Sequence, residues 1–223
     1  MEIFSVQIAL FPKDLIRRPD QYYNDINLKM NGIFDAIPIV MSVPENAPPE
    51  FPIVQMFSSD GVYKANIARG RIDLFYLPQN SATNTNSATA IKATSIFKQF
   101  YESILSFTKI YRVGCVFSSF KEDNRAIETL AERYFIGNDF RKSSELSFYR
   151  NTPVLLKGVK MNRILKISTG KVNKGLAESE GIIIEQDINT LQSETEVISK
   201  DVVQEIIEYM ASNMEEKELE KLL

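Results

Sequence analysis

The chain of 223 residues contains no histidine, no tryptophan and one cysteine. These absences exclude whole classes of chemistry. Without an imidazole there is no Ser-His-Asp or Cys-His catalysis and no histidine metal site. One cysteine excludes a structural zinc cluster, an iron–sulfur centre and an internal disulfide. Long apolar runs are missing too. The longest strongly apolar, uncharged run is 36–43, far below the ~20 residues of a spanning helix. The start, Met1-Glu2-Ile3-Phe4, lacks the basic region of a signal peptide. The expectation is a cytoplasmic protein with no membrane partner. No Gly-x-Gly-x-x-Gly or Gly-x-Ser-x-Gly exists. Ser168-Thr169-Gly170-Lys171 imitates the end of a phosphate loop, but Leu165 and Val172 stand where a glycine and a hydroxyl are needed. No cofactor is expected.

What is present is a full set of folding signals. Hydrophobic residues make up 44% and charged residues 25%, as in an ordinary globular protein. Residues 2–11 alternate, with Phe4, Val6, Ile8 and Leu10 on one face of a half-buried strand. Residues 20–34 read as a helix with Ile26, Met30, Ile33 and Phe34 inward, and 36–43 as a short strand. Four prolines between Pro44 and Pro52 mark an extended loop. Three β-rich runs follow, joined at Asp60-Gly61 and at Arg69-Gly70. The Asp-Gly pair predicts a type I′ hairpin.

Residues 80–89 contain only Asn, Ser, Ala and Thr, so 79–90 is expected to be a mobile surface loop. The pattern then predicts a helix over 91–107, a strand over 109–120 and a helix over 124–135 with Asp123 as N-cap. Residues 146–150 read as a strand, 154–168 as two strands broken near Gly158, and 170–181 as a turn-rich connection. A strand over 181–189 and a helix over 199–212 complete the chain. The fold class is α+β, a mainly antiparallel sheet of meander and hairpins with three to four amphipathic helices packed on it. The expected organisation is one domain, 1–212, with an acidic C-terminal extension, 213–223.

The formal net charge of -3 conceals an uneven distribution. Residues 141–174 hold nine Lys/Arg against Glu145 alone, whereas 178–223 hold thirteen Asp/Glu against three Lys. Either the two segments neutralise each other in the fold, or the basic one meets a polyanion. Within it, Arg163 falls among inward-pointing Met161, Leu165 and Ile167, while Lys160 and Lys166 fall opposite. Arg112 likewise lies opposite the Tyr111/Val113/Cys115 face. An arginine at such a point either closes an internal ion pair, with Asp73 or Asp187, or grips an external carboxylate or phosphate. Arg112, Lys160, Arg163 and Lys166 are therefore the candidate binding residues. No catalytic residue is assigned. Cys115 has no base to activate it and alternates with apolar neighbours, as a small buried hydrophobe does. Glu185 and Asp187 share a strand face and are the one pair suited to a hard metal ion.

The order of the short motifs Phe57-Ser58-Ser59-Asp60-Gly61-Val62-Tyr63, Arg71-Ile72-Asp73-Leu74, Tyr111-Arg112-Val113-Gly114 and Asp187-Ile188-Asn189-Thr190 resembles a large, sporadically distributed family of uncharacterised prokaryotic proteins. The resemblance spans most of the chain and implies no established activity, so it assigns no site residue. It is compatible with mobile-element or defence genes. The leading expectation is a non-enzymatic interaction or regulatory protein whose partner is another protein. The alternatives are nucleic-acid binding through 141–174 and a metal-dependent phosphodiesterase using Glu185 and Asp187.

Overall fold

The structure is a computed structural model and describes residues 1–79, 85–136, 139–174, 177–191 and 196–223. Nine strands form one sheet: β1 (Glu2–Pro12), β2 (Ile39–Val40), β3 (Pro52–Phe57), β4 (Tyr63–Ala68), β5 (Ile72–Tyr76), β6 (Ile110–Glu122), β7 (Ser147–Leu156), β8 (Val159–Lys174) and β9 (Ala177–Thr190). The helices are α1 (Tyr23–Lys29), α2 (Asn86–Leu105), α3 (Ala126–Tyr134), α4 (Lys200–Asn213) and α5 (Glu216–Glu220). The strand order is β2-β3-β4-β5-β1-β6-β9-β8-β7, and every pairing is antiparallel. The α+β antiparallel class read from the pattern is the observed one.

Strand partners share a face, so the registers sort the sheet into two surfaces. Val6, Ile8 and Leu10 of β1 stand beside Phe117, Cys115 and Val113 of β6. Together with Ile188 and Met161 they meet Ile26 of α1, Phe97, Phe100 and Ile104 of α2, and Val203, Ile206, Ile207 and Met210 of α4 in one core. A second cluster on the same surface packs Leu130 of α3 against Leu165, Ile167, Ile182 and Ile184. Each large apolar side chain removed from water here contributes roughly 1.5–3 kcal/mol. All of these helices cover one surface. The other surface carries no helix among the described residues.

Several expectations are corrected. A register shift between Ile3 and Ser5 puts Ile3, not Phe4, in the buried position. The helix read over 20–34 is a single 3-10 turn followed by the seven residues of α1, because Asn31 and Gly32 adopt positive φ and end it. The apolar run 36–43 yields only the two-residue β2, with Ile37, Ile39 and Val40 exposed. Only Gly61 of the Asp-Gly pair has positive φ, so the β3–β4 turn is not type I′. It is closed instead by Ser58, whose hydroxyl donates to Asp60 while its N–H donates to Tyr63.

The expected loop at 79–90 is cut short, since α2 begins at Asn86 with Thr85 as its cap; residues 80–84 lie outside the described ones. The connection expected over 170–181 is the paired end of the β8–β9 hairpin; its residues 175 and 176 are not described. The acidic segment 213–223 contains the end of α4 and all of α5, with Met214 and Leu219 buried.

Candidate functional site

The uncovered surface is built from the alternate residues of each strand. Across its middle the registers align Asn66, Asp73, Ala9, Gly114, Asn189 and Asn162. One step along lie Phe11 and Arg112, paired with each other. Two small residues, Ala9 and Gly114, form the floor between taller polar walls.

The centre is Phe11, beneath two arginines. The Arg112 guanidinium lies 4.5 Å from its ring centroid and that of Arg71 lies 5.5 Å away. Such cation–aromatic contacts hold a guanidinium flat without consuming its N–H groups. Arg71 Nε donates to both oxygens of Asp73, at 2.9 and 3.0 Å. Gln7 adds a donor to the same carboxylate at 2.8 Å. Burial nevertheless raises the Asp73 pKa, outweighing Arg71 and Gln7. On the far wall, Asn151 donates to Asn162, Asn162 to Asn189, and Asn189 to Asp187. Burial raises the Asp187 pKa too, opposed by Asn189 and by the charges of Arg112 and Arg71.

Arg112 differs from its surroundings. Among the described residues its Nε is buried without a hydrogen-bond partner, and none of the ion pairs within 4.0 Å includes it. A buried donor without an acceptor costs about 1–3 kcal/mol, so its presence calls for a physical reason.

The sequence candidates divide between the surfaces. Arg112, Lys160 and Lys166 stand on the uncovered one. Arg163 stands on the helical one, where its Nε donates to buried Gln186 at 3.1 Å and its charge reaches Glu218. Lys160 is the register partner of Leu155, and Lys166 that of Glu185. Glu185 and Asp187 do share a face, but among the described residues no group of three or more His, Cys, Asp or Glu could hold a metal ion. Sequence reasoning missed Phe11 and Arg71 as site residues. The available signal was Phe11 itself, an aromatic on the side of β1 opposite to Val6, Ile8 and Leu10.

The oppositely charged segments are in part neighbours. Lys157 pairs with Glu205 at 3.1 Å, and Lys171 with Glu178 and Glu180 at 2.9 and 3.1 Å.

Among the described residues no helix is long and apolar enough to cross a membrane. No protein-family model and no curated protein matches the chain. Among solved structures, a chain described as "Methanococcus jannaschii TBP" is 13% identical, with coverage of 96% of this chain and 97% of that one and a TM-score of 0.22. At that score the likeness carries no argument.

Proposed function

We propose that this chain is a non-enzymatic interaction protein that holds a partner protein on the uncovered surface of its sheet. The observation that carries this reading is the stacked pair Arg71 and Arg112 on Phe11, set in rows of amides on the one sheet surface that the helices leave open. Arginines and aromatics are typical anchors of protein interfaces. The surface is also of mixed sign. Lys166 faces Glu185, Arg71 holds Asp73, and Asp187 lies within electrostatic range of Arg112. A long polyanion would meet acids along much of its path, which favours a protein over nucleic acid. The basic segment 141–174 supports the nucleic-acid reading less well than its charge suggests, because Arg163 is turned under the helices.

The test is cross-linking in the native host. Photoreactive residues are placed at Lys64 and Asn162 on the uncovered surface, and at Ile91 and Glu102 on the helices. The expected result is a discrete protein adduct from the first pair alone. Adducts confined to the helical pair, or to nucleic acid, would overturn the reading.

A further inference from the structure

Arg112 and Arg71 present more hydrogen-bond donors than the chain uses. The guanidinium of Arg112 makes no hydrogen bond among the described residues, and its Nε is already out of water. Arg71 commits only its Nε, to Asp73, leaving its two terminal nitrogens for another acceptor. Both guanidiniums already lie against one ring, so less side-chain freedom is lost when an oxyanion docks.

The distances to the ring place the two guanidiniums at most about 10 Å apart. In an extended peptide, residues i and i+2 point to the same side and lie about 6.6 Å apart. Two acidic side chains at those positions span such a gap. The flanking amides Asn66, Asn162 and Asn189 offer donors and acceptors that suit a peptide backbone. A nucleic-acid strand would bring a phosphate at every step to a surface that also carries Asp73, Asp187 and Glu185. We infer that Arg71, Phe11 and Arg112 form the docking station for an acidic, extended peptide segment with Asp or Glu at alternate positions, its carboxylates held in forked fashion by the two guanidiniums. This rests on the proposed use of the uncovered surface and names the chemistry of its partner.

The experiment is fluorescence anisotropy with a labelled peptide alternating Asp and Thr, its Asn-for-Asp counterpart, and a labelled single-stranded oligonucleotide of equal charge. The acidic peptide is expected to bind at low salt and the Asn peptide not to bind. Arg112→Gln is expected to weaken binding about tenfold or more, as befits a charge-assisted fork. Arg112→Lys, which keeps the charge but not the fork, is expected to recover only part of that loss. Thermal melting of both variants checks the fold, and Arg71→Lys serves if Arg112→Gln fails to fold. The inference is overturned by absence of acidic-peptide binding, by equal binding to Arg112→Gln, or by an Arg112-dependent preference for the oligonucleotide. Should cross-links still map to the uncovered surface after such a result, only the peptide assignment falls.

Discussion

At the residue scale, the site is defined by side chains whose environment opposes their charge. Asp73 is 7% exposed, and burial raises its pKa from the ordinary 3.8 despite Arg71 and Gln7. An acid with a folded-state value above its unfolded one keeps its proton to higher pH when folded. Its contribution is therefore most favourable below about pH 3.8 and declines as pH rises through the folded value. Asp73→Asn removes the charge while keeping an acceptor oxygen for Arg71. Its melting temperature relative to the parent should rise between pH 4 and pH 7, each 1 kcal/mol corresponding to about 2–4 °C in a chain of this size. A gap that stays flat or narrows over that range would show that Arg71 outweighs the burial. Cys115 is governed by the same physics. It is fully buried, and burial together with Asp187 pushes its thiol up, so it is a core side chain and not a nucleophile.

The elements show how much was legible in advance and why the remainder was not. Period-two alternation located β1 and β6, β-rich runs joined at two turns located the β3–β4–β5 meander, and helical spacing located α2, α3 and α4. Those signals are local, and the faces they mark are the ones buried except at Phe4, which the shift between Ile3 and Ser5 turns away from the core. What failed depended on non-local facts. The run 36–43 is apolar enough for a core strand, yet it lies at the sheet edge, where no layer covers it. The chain around 170–181 is rich in Gly, Lys and Glu, so it reads as a turn. In the structure Gly170 and Gly181 are register partners within a long hairpin. The reason is steric. A Cβ on Gly181 would lie 2.1 Å from the carbonyl oxygen of Lys121 and 2.8 Å from the ring of Phe120. Gly181 is thus the point where β9 and β6 approach too closely for any side chain. Gly181→Ala should lower stability by about 1–3 kcal/mol, because backbone must move to admit the methyl. Chemical denaturation measures this, and a loss under about 1 kcal/mol would mean that the β6–β9 ladder yields cheaply. The site was legible in part for a related reason. Arg112 and Lys160 stand out as charges in strand patterns, but the meeting of Arg112 with Arg71 and Phe11 is set by strand order, which alternation does not encode.

On the scale of the whole molecule, two apolar clusters share one sheet surface and are joined by the end of the chain. Leu219 of α5 is fully buried in the larger cluster, and Leu222 packs against both. Leu219→Ala should therefore cost about 2–5 kcal/mol and lower one cooperative transition, since the same segment ties both halves together. Two separated thermal transitions in the variant would show that the clusters unfold independently. The charge distribution has a similar role. Part of the acidic segment lies against the basic one through Lys157 and Lys171. These exposed pairs contribute little stability individually, but they neutralise part of the asymmetry locally. That leaves the arginines over Phe11 as the charged feature of the uncovered surface best placed to meet a partner.

The central position of β1 has a consequence for how the chain is made. This strand lies between β5 and β6, which begin about 60 and 100 residues later in the sequence. At about 5–20 residues per second, the ribosome needs roughly 5–20 s to release β6 after β1. For the first part of that interval, until β5 emerges, Val6, Ile8 and Leu10 have neither neighbour to pair with, and until β6 emerges one edge of β1 stays unpaired. The nascent chain thus carries a strand with an unpaired edge while about 100 residues are made. A chaperone that engages emerging chains should dwell on the first dozen residues and let go once β6 clears the exit tunnel.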